Sequence, residues 1–156
     1  MKKTILVLII SLFLCIACQA QTIAGNWRLT SIILEGDMAY SINEPVTLNI
    51  DETGKFSGNG GCNEYVGLYS FENPAKSFKK PQKIKFSDVI FCSAKKTCQL
   101  SSNTEKVFFT SLKEAVTIDL VKDVLVIKNK AMFVKSPNGN IVIQNTLTFE
   151  REVKPK

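Results

Sequence analysis

Apolar and polar residues alternate one by one over much of this chain, which is the period of a β-strand with one buried face. In the segment VTLNI, Val46, Leu48 and Ile50 are apolar and the two residues between them are polar. The next four residues, DETG, have the composition of a turn, and the following KFSG resumes an extended pattern. This stretch therefore predicts a β-hairpin.

Similar segments occur along the rest of the chain. They are NWRLTSIIL, EYVGLYSF, KIKF, VTIDL, VLVI, AMFV and NIVIQNTLTFER. Turn-forming residues separate several of them, at residues 122–123 and 137–139. The spacing predicts about eight strands in a meandering antiparallel sheet, which must curl or close like a barrel to cover its edges.

One segment, SSNTEKVFFTSLKEA, has a helical period instead. Phe108, Leu112 and Ala115 recur at helical spacing, and Ser102 and Glu105 have the spacing of a capping box. A helix over residues 103–114 is predicted, with its apolar side packed on the sheet. The predicted fold class is α+β: a mostly antiparallel, curled or barrel-like meander of about eight strands with one packed α-helix.

The first twenty residues have the layout of a secretory signal. Lys2 and Lys3 precede the apolar run ILVLIISLFLCIA, which is followed by small and polar residues in CQAQT. Two processing routes fit this segment. Cys18 lies in a sequence that resembles the lipobox of bacterial lipoproteins, where it would be acylated, and ordinary cleavage after Ala20 fits as well. Both routes predict an exported domain, either periplasmic or anchored by lipid to a membrane of a bacterial envelope.

Removal of the signal leaves one globular domain over residues 22–152 and a frayed tail over residues 153–156. The net charge of +6 falls to about +4 with the loss of Lys2 and Lys3. The remaining basic residues are mostly scattered lysines without an interleaved aromatic stripe, so nucleic-acid binding is not expected. We expect a monomer whose membrane contact is limited to the lipid anchor.

The composition also excludes several kinds of chemistry. The sequence contains no histidine, which rules out Cys–His and Ser–His–Asp catalysis and removes the commonest zinc ligand. The run GNGG lacks the Lys and Ser or Thr that follow a phosphate-binding loop, and the acidic residues form no glycosidase or metal pattern. We therefore predict a protein that is not an enzyme and uses no metal or cofactor. Of the three cysteines in the predicted domain, two are expected to pair in an oxidising compartment; the three are Cys62, Cys92 and Cys98.

Residues 56–69, FSGNGGCNEYVGLY, resemble the glycine–cysteine–asparagine signature of the META domain, the family of the HslJ-like heat-shock lipoproteins. Downstream, Glu105 matches an acidic residue that opens a helix in that family, Leu112 a leucine near the end of the helix, and LTFER a final strand. The second short motif of the family corresponds to DVIFC or KKTC, without its Thr-x-Met-x-Cys form. The resemblance covers residues 24–151. The signature positions are Gly58, Gly61, Cys62, Asn63, Tyr65 and Gly67.

This resemblance implies a small exported domain of mostly β structure, linked to heat shock, envelope stress or antibiotic tolerance, with no settled reaction. It also implies a disulfide from Cys62 to Cys98 or to Cys92. Pairing of Cys92 with Cys98 is a third arrangement, and it would leave Cys62 as a redox or modification site.

We therefore expect a non-enzymatic envelope domain that binds another protein or a small ligand of unknown identity. The predicted interaction surface is the loop end with Asn59, Asn63, Glu64 and Tyr65, where a rigid turn presents polar side chains. The competing interpretation is structural: Asn63 bonds backbone and Tyr65 packs in the core. Two other functions stay open, a small β-barrel carrier of an apolar ligand and a secreted hydrolase inhibitor.

Overall fold

The structure is a computed structural model that describes residues 22–34, 38–73, 78–91, 101–136 and 139–152. These ranges contain one helix, α1 (Ser101–Lys113), and a series of strands that follow the chain. The strands are β1 (Gly25–Leu34), β2 (Met38–Tyr40), β3 (Thr47–Ile50), β4 (Lys55–Asn59), β5 (Glu64–Phe71), β6 (Gln82–Phe91), β7 (Ala115–Val121), β8 (Val124–Asn129), β9 (Met132–Ser136), β10 (Gly139–Ile143) and β11 (Thr146–Arg151).

Eight of the strands close into an antiparallel barrel. The order around it is β1, β3, β4, β5, β6, β7, β8 and β11, and β11 pairs with β1 to complete the ring. β2 pairs with the end of β1, beyond the part that pairs with β3. β9 and β10 form a separate two-stranded hairpin. The predicted α+β fold, a barrel-like antiparallel meander with one packed helix, is confirmed.

The ring is closed by the pairing of β1 with β11. Their register runs from Trp27 opposite Arg151 to Ile33 opposite Thr146. The other edge of β1 pairs first with β3 and then with β2. The Arg151 guanidinium also lies over the Trp27 ring, 4.2 Å from its centroid, and Nη1 donates to the Ala24 carbonyl oxygen at 3.1 Å. A side chain of the last strand thus holds the start of the first.

The barrel interior is a packed apolar core. In β3 the alternation places Leu48 and Ile50 inside and Asn49 outside, as the period of a strand requires. Helix α1 packs against β6, β8 and β11, and it buries Phe108 and Leu112 completely. Burial of side chains of this size stabilises the fold by about 1.5–3 kcal/mol each. The largest fully buried side chains are Trp27, Tyr65, Phe56, Phe108 and Phe149.

The structure differs from the sequence prediction at three places. Helix α1 begins at Ser101, so Ser102 lies inside the helix and not at the predicted N-cap. The three-residue strand β2 was not predicted. NIVIQNTLTFER is two strands because the chain crosses from the hairpin to the barrel at Gln144 and Asn145. There the Asn145 carbonyl accepts a hydrogen bond from Asn129 N at 3.0 Å, and Gln144 Nε2 donates to the Asn129 carbonyl at 2.7 Å.

The predicted signal over residues 1–20, including Cys18, and the tail over residues 153–156 lie outside the described residues. Within the described ranges, no helix has the length and hydrophobicity needed to cross a membrane.

Candidate functional site

The signature residues lie at the end of β4, in a tight loop over residues 60–63 and in the first half of β5. We call residues 60–63 the β4–β5 loop. Gly60 N donates to the Asn63 carbonyl oxygen at 2.9 Å. Gly61 N donates to Asn59 Oδ1 at 2.8 Å. Gly61 has φ +107°, a conformation that glycine adopts without strain and other residues disfavour. The loop is therefore a defined turn held by its own hydrogen bonds.

Two signature residues control how closely β3 and β4 approach. Tyr65 is 1% exposed, and its hydroxyl donates to the Thr47 carbonyl oxygen at 2.7 Å. A Cβ on Gly58 would overlap that carbonyl oxygen and would lie 2.8 Å from the Tyr65 hydroxyl oxygen. Gly58 is thus required because the backbones of β3 and β4 approach closely at this position. Burial of the Tyr65 hydroxyl raises its pKa far above the ordinary value.

Asn63 connects the β4–β5 loop to helix α1. Glu105 Oε1 accepts a hydrogen bond from Asn63 N at 2.8 Å, and Glu105 Oε2 accepts one from Asn63 Nδ2 at 2.9 Å. A carboxylate has two acceptor oxygens, which matches the two donors that Asn63 presents. Glu105 was predicted as a capping-box residue, and the structure assigns its carboxylate to the loop. A Cβ on Gly60 would lie 2.7 Å from the Phe109 ring and 3.0 Å from Glu105 Oε1, so this glycine makes room for both side chains.

Only part of the predicted interaction surface is on the surface. Glu64 is exposed, whereas Asn59 and Asn63 are half-buried and hydrogen-bonded as described above. Tyr65 is a core residue, which corrects its placement on the interaction surface. The alternation along β5 explains the correction, because residues 65 and 67 face inward and residues 64, 66 and 68 face outward. Asn63, which the competing interpretation assigns to a backbone contact, donates from its side chain to the Glu105 carboxylate.

A chain of aromatic rings continues from Tyr65 into the helix. The Tyr65 ring lies 5.0 Å from that of Phe109 in an edge-to-face arrangement, and Phe109 lies 4.9 Å from Phe91 at the end of β6. Such pairs contribute about 0.5–1.5 kcal/mol beyond the area they bury. Through them the β4–β5 loop, helix α1 and the end of β6 pack as one unit.

Cys62 lies in this loop and is 5% exposed. Its two predicted partners, Cys92 and Cys98, lie outside the described residues, so the choice between them stays a prediction. Among the described residues no group of three acidic or cysteine side chains could hold a metal ion.

The outward face of β5 forms the floor of a groove that the sequence analysis missed. Val66 and Leu68 are exposed, and Ile90 of β6, directly opposite Val66, is 62% exposed. The groove has a volume of about 550 Å³. We call it the outer groove and define it by Asp51, Lys55, Val66, Leu68, Asp88 and Ile90. The signal was present in EYVGLYSF, which has apolar residues on both faces of the strand.

Hydrogen bonds fix part of the polar rim of the outer groove at Asp51. Asp51 Oδ1 accepts hydrogen bonds from Thr53 N at 2.8 Å and from Lys55 N at 2.9 Å. These bonds, the one from Lys55 first among them, lower the pKa of Asp51 below its ordinary value. At the other end Asp88 has φ +52°, at a bulge where β6 is longer than the facing part of β5. Two acidic residues, Asp51 and Asp88, therefore line the groove beside its apolar floor, together with Lys55 at the start of β4.

Comparison with known proteins gives a family match and a similar crystal structure. A family model described as "META domain" matches residues 20–137. A crystal structure of a duf4847 family protein from Bacteroides vulgatus ATCC 8482 is similar with 10% sequence identity and a TM-score of 0.47; the match covers 85% of this chain and 95% of that one. A search of curated proteins finds no match.

Proposed function

Because this chain belongs to the META domain family, we propose that it is an exported, non-enzymatic envelope domain that supports stress tolerance by binding a protein partner through the outer groove. The observation that carries the proposal is the exposure of Val66, Leu68 and Ile90 side by side on the strand that bears the family signature and on its neighbour. Contiguous exposed apolar surface rimmed by polar groups is typical of protein interaction sites.

The chemistry of the groove defines the partner. Its floor is apolar, and Asp51 and Asp88 outnumber Lys55 on its rim. A partner that places an apolar side chain on the floor and a basic side chain beside Asp88 would match both features. The rigid turn at Asp51 and the bulge at Asp88 would hold the rim in place before binding, which reduces the ordering cost of association.

The carrier hypothesis has less support. A carrier needs inward side chains that line a cavity, whereas here the inward aromatic rings contact one another. Phe56 and Phe86 lie 5.1 Å apart edge to face, and Phe108 lies 6.4 Å from Phe149. The hydrolase-inhibitor hypothesis is a special case of protein binding, and a panel of envelope hydrolases incubated with the domain would test it directly.

Site-specific photocrosslinking tests the binding surface. A benzophenone amino acid would replace Leu68 in the outer groove or, as the control, Val121, which is also an exposed apolar strand residue but lies outside the groove. We expect discrete protein adducts in intact cells from position 68 and none from position 121. The same adducts from both positions, or none from position 68 during heat or antibiotic stress, would contradict the proposal.

A second experiment tests the stress role. Cells that lack the gene would be complemented with the wild-type chain or with Leu68→Asp, which places a charge on the groove floor. We expect the wild type to restore survival after heat or antibiotic exposure and the variant to fail at equal protein abundance. Full rescue by Leu68→Asp would show that survival under stress does not depend on the outer groove.

Export, anchoring and the disulfide are proposed with the same function and need their own measurement. Intact mass and non-reducing peptide mapping of the protein expressed with its own signal would give the first residue and the cysteine linkage. We expect a chain that begins at acylated Cys18 and a peptide that joins Cys62 to Cys98 or Cys92. A chain that begins at Gln21 would mean a diffusible domain, and a Cys92–Cys98 peptide would refute the proposed linkage. The burial of Cys62, which is 5% exposed, supports a paired rather than an accessible cysteine.

A further inference from the structure

A second pocket opens at the end of the barrel where β8 ends, β11 begins and helix α1 ends. Its volume is about 510 Å³. It shares no residue with the outer groove. We call it the rim pocket; it is lined by Glu114, Asn129, Lys130, Met132, Ile143 and Asn145.

Two asparagines bring polar atoms to the inward side of the barrel here. Asn129 continues the inward positions of β8 after Leu125 and Ile127, and it is 5% exposed. Asn145 directly precedes β11 and accepts a backbone hydrogen bond from Asn129 N. A buried side-chain amide needs partners for both of its ends.

The carbonyl ends of both amides lack such partners. Asn129 Nδ2 donates to Glu114 Oε2 at 3.3 Å, which fixes the orientation of that amide, since the reverse orientation would place two acceptors face to face. Asn129 Oδ1 is then buried without a hydrogen-bond donor, and Asn145 Oδ1 is in the same condition. Two buried acceptors in one pocket call for a ligand with several donors.

The Glu114 end of the pocket favours a positive group. Glu114 directly follows the last residue of α1, where the carbonyl groups of the helix already present partial negative charge. A carboxylate at this end of a helix is unfavourable unless a cation lies nearby. A primary ammonium group has three N–H donors, and the Asn129, Asn145 and Glu114 oxygens supply three acceptors.

We propose that the rim pocket binds a small zwitterion of the amino-acid type. Its ammonium group pairs with the Glu114 carboxylate and, after small rotations that turn the two amides toward the pocket, donates to Asn129 Oδ1 and Asn145 Oδ1. Its carboxylate pairs with the Lys130 ammonium, and its side chain lies against Met132 and Ile143. Lys130 also disfavours a bare metal cation at the same place by like-charge repulsion.

The test is an NMR titration of the full mature chain with leucine and with two molecules that each carry half of its charge. Isopentylamine keeps the ammonium group, and 4-methylpentanoate keeps the carboxylate. We expect saturable shifts at the rim pocket with leucine, weaker binding of isopentylamine and none of 4-methylpentanoate. If neither leucine nor isopentylamine gave saturable shifts up to about 10 mM, the proposal would be overturned. Equal binding of all three molecules would overturn it as well.

Variants assign the binding to named atoms. Asn145→Leu keeps the branched shape of the side chain, with somewhat larger methyl groups, and removes the amide with its acceptor, so leucine affinity should fall about tenfold or more. Lys130→Gln should weaken the binding of leucine, which loses the partner of its carboxylate, and should strengthen that of isopentylamine, which loses a like-charge repulsion. Lys128→Gln, which removes an exposed lysine of β8 outside the pocket, should change neither. Unchanged affinity in Asn145→Leu would place the binding elsewhere and refute the assignment.

Two further titrations distinguish a zwitterion site from a cation site and the rim pocket from the outer groove. Shifts at the rim pocket with calcium chloride but not with leucine would identify a cation site and overturn the zwitterion. Leu68→Asp should retain leucine binding, because the outer groove shares no residue with the rim pocket. Loss of leucine binding in that variant, with the fold intact, would contradict two independent sites.

Discussion

Glu105 on helix α1 accepts two hydrogen bonds from Asn63 in the β4–β5 loop, one from the backbone N at 2.8 Å and one from Nδ2 at 2.9 Å. The two residues are 42 positions apart in the chain. Both are positions at which the sequence resembles the META family, and the structure gives their joint presence a physical reason: the carboxylate holds the signature loop against the helix.

Glu105→Gln tests this pair. A side-chain amide has an acceptor only at its oxygen, so one Asn63 donor would face the new NH₂ group without an acceptor. We expect a loss of about 1–3 kcal/mol in the free energy of unfolding, measured by urea denaturation. Glu150→Gln makes the same chemical change at an exposed position of β11 and should cost much less. Equal losses in the two variants would show that the pair contributes nothing specific.

Tyr65→Phe removes the buried hydroxyl that donates to the Thr47 carbonyl. The expected loss is about 1–2 kcal/mol at neutral pH. The pKa of Tyr65 is raised by burial above its ordinary 10.0, so the unfolded chain releases this proton first and wild-type stability should fall as pH rises above 10. The variant lacks this group, so its stability should fall less steeply. Tyr40→Phe, at the half-buried end of β2, is the control. If the stability of Tyr65→Phe fell with rising pH as steeply as that of the wild type, the assignment would be refuted.

Asp51→Asn tests the turn between β3 and β4. The folded pKa of Asp51 is lowered, chiefly by the hydrogen bond from Lys55 N. Its contribution to stability is therefore present above the ordinary value of 3.8 and is lost as pH falls below that value through the folded pKa. Urea midpoints measured as pH falls from neutral should converge for the wild type and the variant. Glu52→Gln removes the neighbouring carboxylate of the same turn, and a similar convergence with that variant would contradict a specific role for Asp51.

Gly58→Ala tests the close approach of β3 and β4. Its φ is not in the left-handed region, so any cost comes from overlap of the new Cβ with the Thr47 carbonyl oxygen, a backbone atom that cannot rotate away. We expect destabilisation of about 3 kcal/mol or more by thermal or urea unfolding. Ser57→Ala, at the preceding position of β4, should be tolerated within about 1 kcal/mol. A stable Gly58→Ala protein would show that the two strands can separate at low cost.

Much of the fold could be predicted because its signals are local. Alternation in VTLNI predicted β3 and the turn after it, and the spacing of Phe108 and Leu112 predicted the buried face of α1. The split between β10 and β11 was missed because apolar residues continue across Gln144 and Asn145. Only the hydrogen bonds of these residues to Asn129, on another strand, show that the chain turns there.

The candidate site was less predictable because it depends on contacts between distant segments. The sequence singled out Asn63 and Glu105 separately, but nothing in their spacing indicates that they meet. Tyr65 was assigned both to the surface and, as the alternative, to the core, and the inward register of β5 decides for the core. The outer groove was missed because Val66 and Leu68 were treated as ordinary strand residues, and the closed barrel leaves their face uncovered.

The pairing of β1 with β11 has a consequence for how the chain acquires its structure. Contacts between the first and last strands give a high contact order, which slows folding because the chain between them must be closed into a loop. A nascent chain that ends at residue 137, where the family match ends, would lack β11 and expose the edges of both β1 and β8. The barrel can therefore form only after synthesis of the whole domain, and until its final strand is available the emerging chain exposes strand edges that can pair with another copy.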